Sequence, residues 1–174
     1  MPDSAAGPPD SRTIGVLISG RGSNLQALID AVEDGRLDAR LAIVISNRSA
    51  AGGLARAAAA HIETLVLDHR AFASRDEFDG AVAGELLKRG VRVVCLAGFM
   101  RLVGPRLLDA FPHSLLNIHP SLLPAFPGLD AQRQALEYGV RVTGATVHLV
   151  SGELDAGPIV NVGRRPAEKE ESWQ

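Results

Sequence analysis

An amide and an imidazole stand two residues apart in the run 117–129, which then continues through three prolines. Because residues 115–118 have the apolar pattern of a strand, in which alternate side chains share a face, Asn117 and His119 are expected to project together. An asparagine amide donates hydrogen bonds, and a histidine donates or transfers a proton near neutral pH. Two such donors could stabilise the oxyanion of an acyl-transfer reaction. A buried histidine bonded to the backbone is the alternative, but the paired amide, the strand end and the prolines favour function.

A carboxylate follows later, in the turn Glu-Leu-Asp-Ala-Gly-Pro at residues 153–158. Asp155 could simply cap the backbone of this tight turn. It could instead face His119, order a water molecule and favour the imidazolium form through its opposite charge. The spacing does not choose between these two interpretations.

A glycine-containing loop, Ser-Gly-Arg-Gly-Ser-Asn at residues 19–24, connects an apolar strand to a helix. Glycines let a backbone approach an anion closely, and the free N–H groups at a helix start favour a phosphate. The loop has neither the Gly-Lys-Ser/Thr of a nucleotide P-loop nor the third glycine of a dinucleotide fingerprint. We therefore expect Gly22, Ser23 and Asn24 to bind a phosphate monoester. The alternative is a plain turn with Ser23 or Asn24 as the helix N-cap.

The secondary structure around these residues can also be predicted, because strand-like and helix-like segments alternate along the chain. The apolar and capping patterns predict strands at 13–19, 41–46, 64–67, 91–96, 115–118, 146–150 and up to about 162, and helices at 24–33, 53–60, 74–88 and 130–138. Such alternation predicts an α/β fold, a mostly parallel twisted sheet with helices on both faces. Ligands of such sheets bind beyond the carboxyl ends of the strands, where both polar runs begin.

The length of 174 residues suits one domain, which we place at 13–163, between a leader at 1–12 and a charged tail at 164–174 expected to be disordered. A net charge of −2 argues against nucleic acid as a partner, and no apolar run is long enough for a membrane span. The start has no signal-peptide pattern. A lone cysteine, Cys95, forms no internal disulfide, so a cytoplasmic protein is expected. His61, His69 and His113 lack metal-ligand spacing, and no metal is expected.

Five motifs together resemble the phosphoribosylglycinamide formyltransferase family over roughly residues 13–160. They are Gly-Ser-Asn-Leu at 22–25, Leu-Ala-Gly-Phe-Met-Arg at 96–101, the run 117–129, Thr-Gly-Ala-Thr-Val-His at 143–148 and the turn at 153–158. The run at 117–129 with the Asp155 turn is highly specific, whereas the glycine loop alone is not.

The resemblance implies a Rossmann-like formyltransferase fold and transfer of formyl from 10-formyltetrahydrofolate to phosphoribosylglycinamide in purine biosynthesis. It implies a catalytic trio of Asn117, His119 and Asp155, and a substrate-phosphate site at Gly22, Ser23 and Asn24. The folate-binding residues that it implies are Arg75, Met100, Arg101, Leu102, Val103 and Asn117. Without the resemblance, Arg75 is a surface charge. Small-molecule substrates are the expected partners, and a homodimer is left open.

The end of the chain departs from the family pattern. Members usually continue through a further strand and a long helix that carries a Glu contacting the ribonucleotide, whereas residues 163–174 here are mostly charged or polar. We therefore expect reduced stability and weakened ribonucleotide binding relative to a longer member. Two alternatives stay open, a formyltetrahydrofolate hydrolase and a non-catalytic folate-binding form. Cys95, in an apolar strand, is expected to be a core residue, and His148 to pack or to bond to the backbone.

Overall fold

A computed structural model describes residues 12–167. Most of the predicted leader and of the predicted tail lies outside these residues. The strands are β1 Thr13–Ile18, β2 Arg40–Ser46, β3 Thr64–Val66, β4 Val93–Leu96, β5 Leu115–His119, β6 Val142–Leu149 and β7 Ile159–Pro166. The helices are α1 Ser23–Glu33, α2 Gly53–Ala59, α3 Arg75–Lys88, α4 Pro105–Ala110 and α5 Ala131–Tyr138, with a 3₁₀ turn at His69–Ala71. Within this part of the chain, no helix is long and apolar enough to cross a membrane.

The seven strands form one sheet in the order β3-β2-β1-β4-β5-β6-β7. Neighbouring strands from β3 to β5 pair in parallel, and β6 and β7 add two antiparallel pairings at one side. The predicted mostly parallel α/β sheet is therefore confirmed. The parallel arrangement brings the carboxyl ends of β1, β4 and β5 to the same edge of the sheet.

Alternation along the strands divides the core between the two faces of the sheet. On β1, Val16 and Ile18 pack with Leu25 and Ile29 of α1, whereas Leu17 packs in a second cluster on the opposite face. Large buried side chains of α3 and α4 complete that second cluster. Helices thus cover both faces, as the near-continuous apolar strands predicted.

The predicted Ser74 cap of α3 forms, but the return bond of Glu77 goes to Ala73, one residue before the N-cap. The Ser74 hydroxyl accepts a hydrogen bond from the Glu77 N–H at 3.1 Å, and the Glu77 carboxylate accepts one from the Ala73 N–H at 3.2 Å. These bonds pair N–H groups that would otherwise lack partners at the helix start, which fixes where α3 begins.

One helix and several strand ends differ from the sequence-based prediction; β4, for example, begins at Val93 rather than at 91. The short helix α4 was not predicted, because its six residues show less than two turns of periodicity. Strand β6 begins at Val142 rather than at 146, and β7 reaches Pro166 rather than ending near 162. The reason is that β6 and β7 pair along their whole length, from Val142 opposite Pro166 onwards, and backbone hydrogen bonds require no apolar pattern. Arg164 and Arg165, predicted to lie in the tail, are therefore strand residues.

Candidate active site

The end of β5 presents Asn117 and His119 to one cavity of about 420 Å³, here called the His119 cavity. Both side chains line it, as their spacing of two residues predicted. His119 is only 4% exposed, whereas Asn117 is partly buried. The amide and the imidazole therefore face the same space at the carboxyl end of a central strand.

Both ring nitrogens of His119 face oxygen atoms. Its Nδ1 lies 3.3 Å from Oδ2 of Asp155, and its Nε2 lies 2.8 Å from the carbonyl oxygen of Phe126. Carboxylate and carbonyl oxygens accept hydrogen bonds and donate none, so both contacts are satisfied only when both ring nitrogens carry hydrogen. The ring is therefore held between the Asp155 turn and the backbone of Phe126. Of the two interpretations of Asp155, the structure has the one in which this carboxylate faces His119.

The Asp155 turn is held in place by its backbone and by a neighbouring loop. Asp155 adopts a left-handed backbone conformation with φ of 51°, and its Oδ2 accepts a hydrogen bond from the Gly128 N–H at 2.8 Å. Gly157 allows the turn to press against β6, since a Cβ there would lie 1.7 Å from the Leu149 carbonyl oxygen. The side chain of Asp155 is only 7% exposed. A nearly buried carboxylate thus connects the end of run 117–129 to the turn.

His148 is a fourth polar member of this cluster. Its Nδ1 donates to the Leu149 carbonyl at 3.0 Å, as expected of a histidine bonded to the backbone. Its Nε2 lies 3.1 Å from the Asn117 Nδ2 and 3.6 Å from Oδ1 of Asp155. With the hydrogen on Nδ1, the neutral ring accepts from the Asn117 amide and so fixes which way that amide points. The sequence did not predict this contact, although the antiparallel pairing of Asn117 with His148 accounts for it.

The glycine loop forms the start of α1. Gly22 is the N-cap residue, with φ of 78° and ψ of 28°, and no side chain caps the helix. The alternative in which Ser23 or Asn24 serves as N-cap is therefore wrong. Gly22 packs directly on Gly53 of α2, since a Cβ on Gly22 would lie 2.5 Å from the Gly53 Cα. Uncapped N–H groups at the positive end of an 11-residue helix favour an anion.

A second cavity of about 700 Å³ lies at this loop and is here called the Gly22 cavity. Its lining includes residues 20–24, the start of α5, and both Arg164 and Arg165 of β7. The two cavities share a wall of five residues, which are Gly98, Met100, Ile118, Gly128 and Leu129. Molecules bound in the two cavities would therefore meet across the end of β5.

The segment 100–103, with the side chains of Met100, Arg101, Leu102 and Val103, lines the His119 cavity. A buried polar chain fixes its start, because the Met100 N–H donates to the Ser19 hydroxyl at 2.8 Å and that hydroxyl donates to Asn47 Oδ1 at 2.6 Å. Arg75 lies at the start of α3 and lines neither cavity. Of the predicted folate-binding residues, Arg75 is thus the one that the structure leaves outside the cavity.

Cys95 packs in the core cluster below α1, as predicted for a core residue. Burial raises the pKa of its thiol to about 11, so the thiol stays protonated at neutral pH and is a poor nucleophile. Among residues 12–167, no group of three His, Cys, Asp or Glu side chains is arranged to hold a metal ion.

Comparison with known proteins places this chain in a family. The sequence model of the Formyl transferase family matches residues 12–174. Phosphoribosylglycinamide formyltransferase of Escherichia coli is 46% identical over 151 residues, which are 87% of this chain and 71% of that protein. The human trifunctional purine biosynthetic protein adenosine-3 is 49% identical over 147 residues, which are 84% of this chain. The chain spans only 15% of the length of that trifunctional relative.

A solved structure agrees with the sequence matches. Glycinamide ribonucleotide transformylase 1 from Symbiobacterium toebii superposes with a TM-score of 0.87 at 56% identity, covering 88% of this chain and 73% of that one. The family match extends over all seven strands rather than a single motif. The chain belongs to the formyl transferase family, in the group that includes the phosphoribosylglycinamide formyltransferases.

Proposed function

We propose that this chain transfers the formyl group of 10-formyltetrahydrofolate to the amine of phosphoribosylglycinamide. The observation that carries the proposal is the convergence of Asn117, His119 and Asp155 on a cavity that shares a wall with the uncapped start of α1. One cavity offers donors for an oxyanion, and the other offers a positive helix end for a phosphate. Two relatives that this chain covers over most of their length carry names that agree with this reaction.

The larger Gly22 cavity is the proposed site of the phosphorylated amine. Its phosphate would accept hydrogen bonds from the backbone of Gly22, Ser23 and Asn24, where the helix dipole is favourable. Arg21 and Arg164 also line this cavity. The lining carboxylate of Asp130 is paired with Arg133 at 3.0 Å. Positive side chains at the start of a helix favour a phosphorylated ligand.

The His119 cavity is the proposed site of the formyl donor, which supplies the electrophilic formyl carbon. Segment 100–103 would hold the folate. As the amine nitrogen attacks, negative charge develops on the formyl oxygen. The Asn117 amide has one N–H for His148 and a second for that oxygen, and the His119 imidazolium adds a positive charge nearby.

Asp155 is proposed to sustain the positive charge on His119 and to accept the proton that the attacking amine loses. The 3.3 Å contact with His119 and the bond from Gly128 keep this carboxylate at the cavity. The C–N bond to the amine forms and the C–N bond to the folate breaks. The proton taken from the amine is returned to the departing folate nitrogen, so no covalent enzyme intermediate is needed. Neither a serine nor a cysteine nucleophile takes part in this scheme.

Replacing His119 with alanine tests the proposal. We expect turnover to fall by at least about 100-fold, the usual cost of losing one oxyanion-stabilising group, with tetrahydrofolate binding retained. His113→Ala is the matched control, because His113 is an exposed loop histidine in the same chain. Equal activity of the two variants would contradict the assigned role.

Two assays separate the alternatives. Release of tetrahydrofolate from 10-formyltetrahydrofolate without the amine substrate would identify a hydrolase, whereas a dependence on phosphoribosylglycinamide identifies the transferase. Folate binding without turnover at high protein concentration would identify a non-catalytic form. The transferase is expected to form N-formyl product in proportion to the folate released.

A further inference from the structure

A buried carboxylate outside both cavity linings touches the end of the folate-binding segment. Asp79 lies on α3 and is only 1% exposed. Its Oδ2 accepts a hydrogen bond from the Gly104 N–H at 2.6 Å. Gly104 directly follows residues 100–103, all of which line the His119 cavity. The carboxylate therefore fixes the backbone at one end of this segment, while Ser19 fixes it at Met100.

The Asp79 carboxylate also occupies the space beside the Gly104 Cα. A Cβ on Gly104 would lie 2.7 Å from Asp79 Oδ2 and 3.4 Å from Cδ of Arg75. Only glycine fits here without moving Asp79. The contact brings α3, through Asp79 and Arg75, against the backbone that leaves the cavity.

Charge connects Asp79 to the two arginines predicted to bind folate. Burial raises the pKa of the Asp79 carboxyl, and the Gly104 N–H, Arg75 and Arg101 lower it, while Asp76 raises it slightly. The guanidinium carbon of Arg101 lies 5.3 Å from the centroid of the Phe78 ring, one residue from Asp79. Its Nε is buried and has no hydrogen-bond partner among residues 12–167. Arg101 is thus held by an aromatic face and a nearby carboxylate rather than by a hydrogen bond at Nε.

We propose that Asp79 is a positioning residue for the formyl-donor side of the reaction. Its carboxylate fixes segment 100–104 through the Gly104 N–H and sets the positions of Arg75 and Arg101 through opposite charge. The inference rests on the proposed function, because it assigns a role within the donor site. Asp79 touches no reacting atom, so it acts through the backbone and the arginines that it holds.

The test compares substrate dependence in Asp79→Asn, Asp79→Ala and Gly104→Ala. Asparagine keeps the shape and an acceptor oxygen but removes the charge. Asp76→Asn is the control, because Asp76 lies on the same turn of α3 but is exposed and pairs with Arg106 at 2.9 Å. For Asp79→Ala we expect the KM for 10-formyltetrahydrofolate to rise about tenfold or more, since a charge-assisted hydrogen bond is lost. The KM for the amine and kcat should stay within about twofold, and Asp79→Asn should fall between wild type and Asp79→Ala.

A double variant tests whether Gly104→Ala acts through its contact with the Asp79 carboxylate. If Gly104→Ala acts by pushing on the Asp79 carboxylate, Asp79→Ala should make room for the added methyl group. The double variant should then have a donor KM no higher than that of Asp79→Ala alone. If the two substitutions raise the donor KM additively, the contact between Gly104 and Asp79 is not the cause of the effect.

Direct binding of tetrahydrofolate, measured by titration calorimetry, separates this inference from the proposed function. A wild-type chain that neither binds tetrahydrofolate nor transfers formyl contradicts the proposed function itself. A normal wild type, with folate affinity unchanged in folded Asp79 variants, overturns only the inference. A loss of kcat with an unchanged donor KM would overturn it as well, because that result indicates general damage to the site.

Discussion

Gly22→Ala is the sharpest test of the proposed phosphate site, because the structure separates its two consequences. Gly22 has φ of 78°, and a side chain in this left-handed region costs about 1–2 kcal/mol. The new methyl group would also lie 2.5 Å from the Gly53 Cα, and backbone atoms cannot rotate away. Overpacking of this kind adds about 1–3 kcal/mol, for a total of about 2–5 kcal/mol.

Gly35→Ala is the matched control for this variant. Gly35 follows the other end of α1 with φ of 70°, and nothing lies within 4 Å of its added Cβ. Gly35→Ala should lose only the about 1–2 kcal/mol of unfolding free energy that a side chain costs in the left-handed region. Both KM values should stay unchanged.

The assay measures the thermal midpoint and both KM values for wild type and the two variants. Separation of α1 from α2 in Gly22→Ala displaces the N–H groups at Ser23 and Asn24. Loss of one charge-assisted hydrogen bond, about 1.5–3 kcal/mol, should raise the KM for phosphoribosylglycinamide about 10- to 150-fold. The donor KM should change by less than about threefold, since the loop does not line the His119 cavity. Equal ribonucleotide KM values for folded Gly22→Ala and Gly35→Ala would refute the reasoning.

Three further predictions concern buried polar groups. His148→Phe removes the acceptor that orients the Asn117 amide, so single-turnover formyl transfer should slow about 10- to 100-fold; an unchanged rate would exclude that role. Ser19→Ala leaves the Met100 N–H without its acceptor and should lower the urea-measured unfolding free energy by about 1–3 kcal/mol, whereas no loss would argue against the polar chain. Because burial raises the Asp79 carboxyl pKa, the native state keeps that proton to higher pH than the unfolded state, so this group lowers stability as pH rises above about 4. Wild type should therefore lose more unfolding free energy than Asp79→Asn between pH 4 and 7, and parallel pH curves would contradict the assignment.

Local patterns predicted the parts of the fold that depend on side chains. The apolar periodicity of α1 and the capping box at Ser74 give helix boundaries within one residue of those observed. The pleat of a strand was enough to put Asn117 and His119 on one cavity. Helix α4 and the long pairing of β6 with β7 were missed, because a six-residue helix and a backbone ladder leave little pattern in the side chains.

The candidate site was harder to predict where it depends on distant segments. Sequence spacing left Asp155 undecided, and only the fold of the turn against β5 and β6 brings it 3.3 Å from His119. The contacts of His148 with Asn117 and Asp155 depend on an antiparallel register that no single segment encodes. The sequence of α3 gives Asp79 no special role, and its bond to Gly104 appears only in three dimensions.

Two of the five residues in the wall that the two cavities share, Gly98 and Gly128, have no side chain. Both have positive φ, and neither has a close neighbour that would block a methyl group: nothing lies within 4 Å at Gly98, and the nearest atom at Gly128 is 3.9 Å away. An alanine at either position would add a methyl group to this wall, and its left-handed backbone would cost about 1–2 kcal/mol of unfolding free energy. Each substrate could then still bind in its own cavity, but the amine and the formyl carbon would lie farther apart. Under the proposed function, turnover would then fall without a matching loss of substrate affinity. Glycine at these two positions would keep the distance between the two reacting groups short.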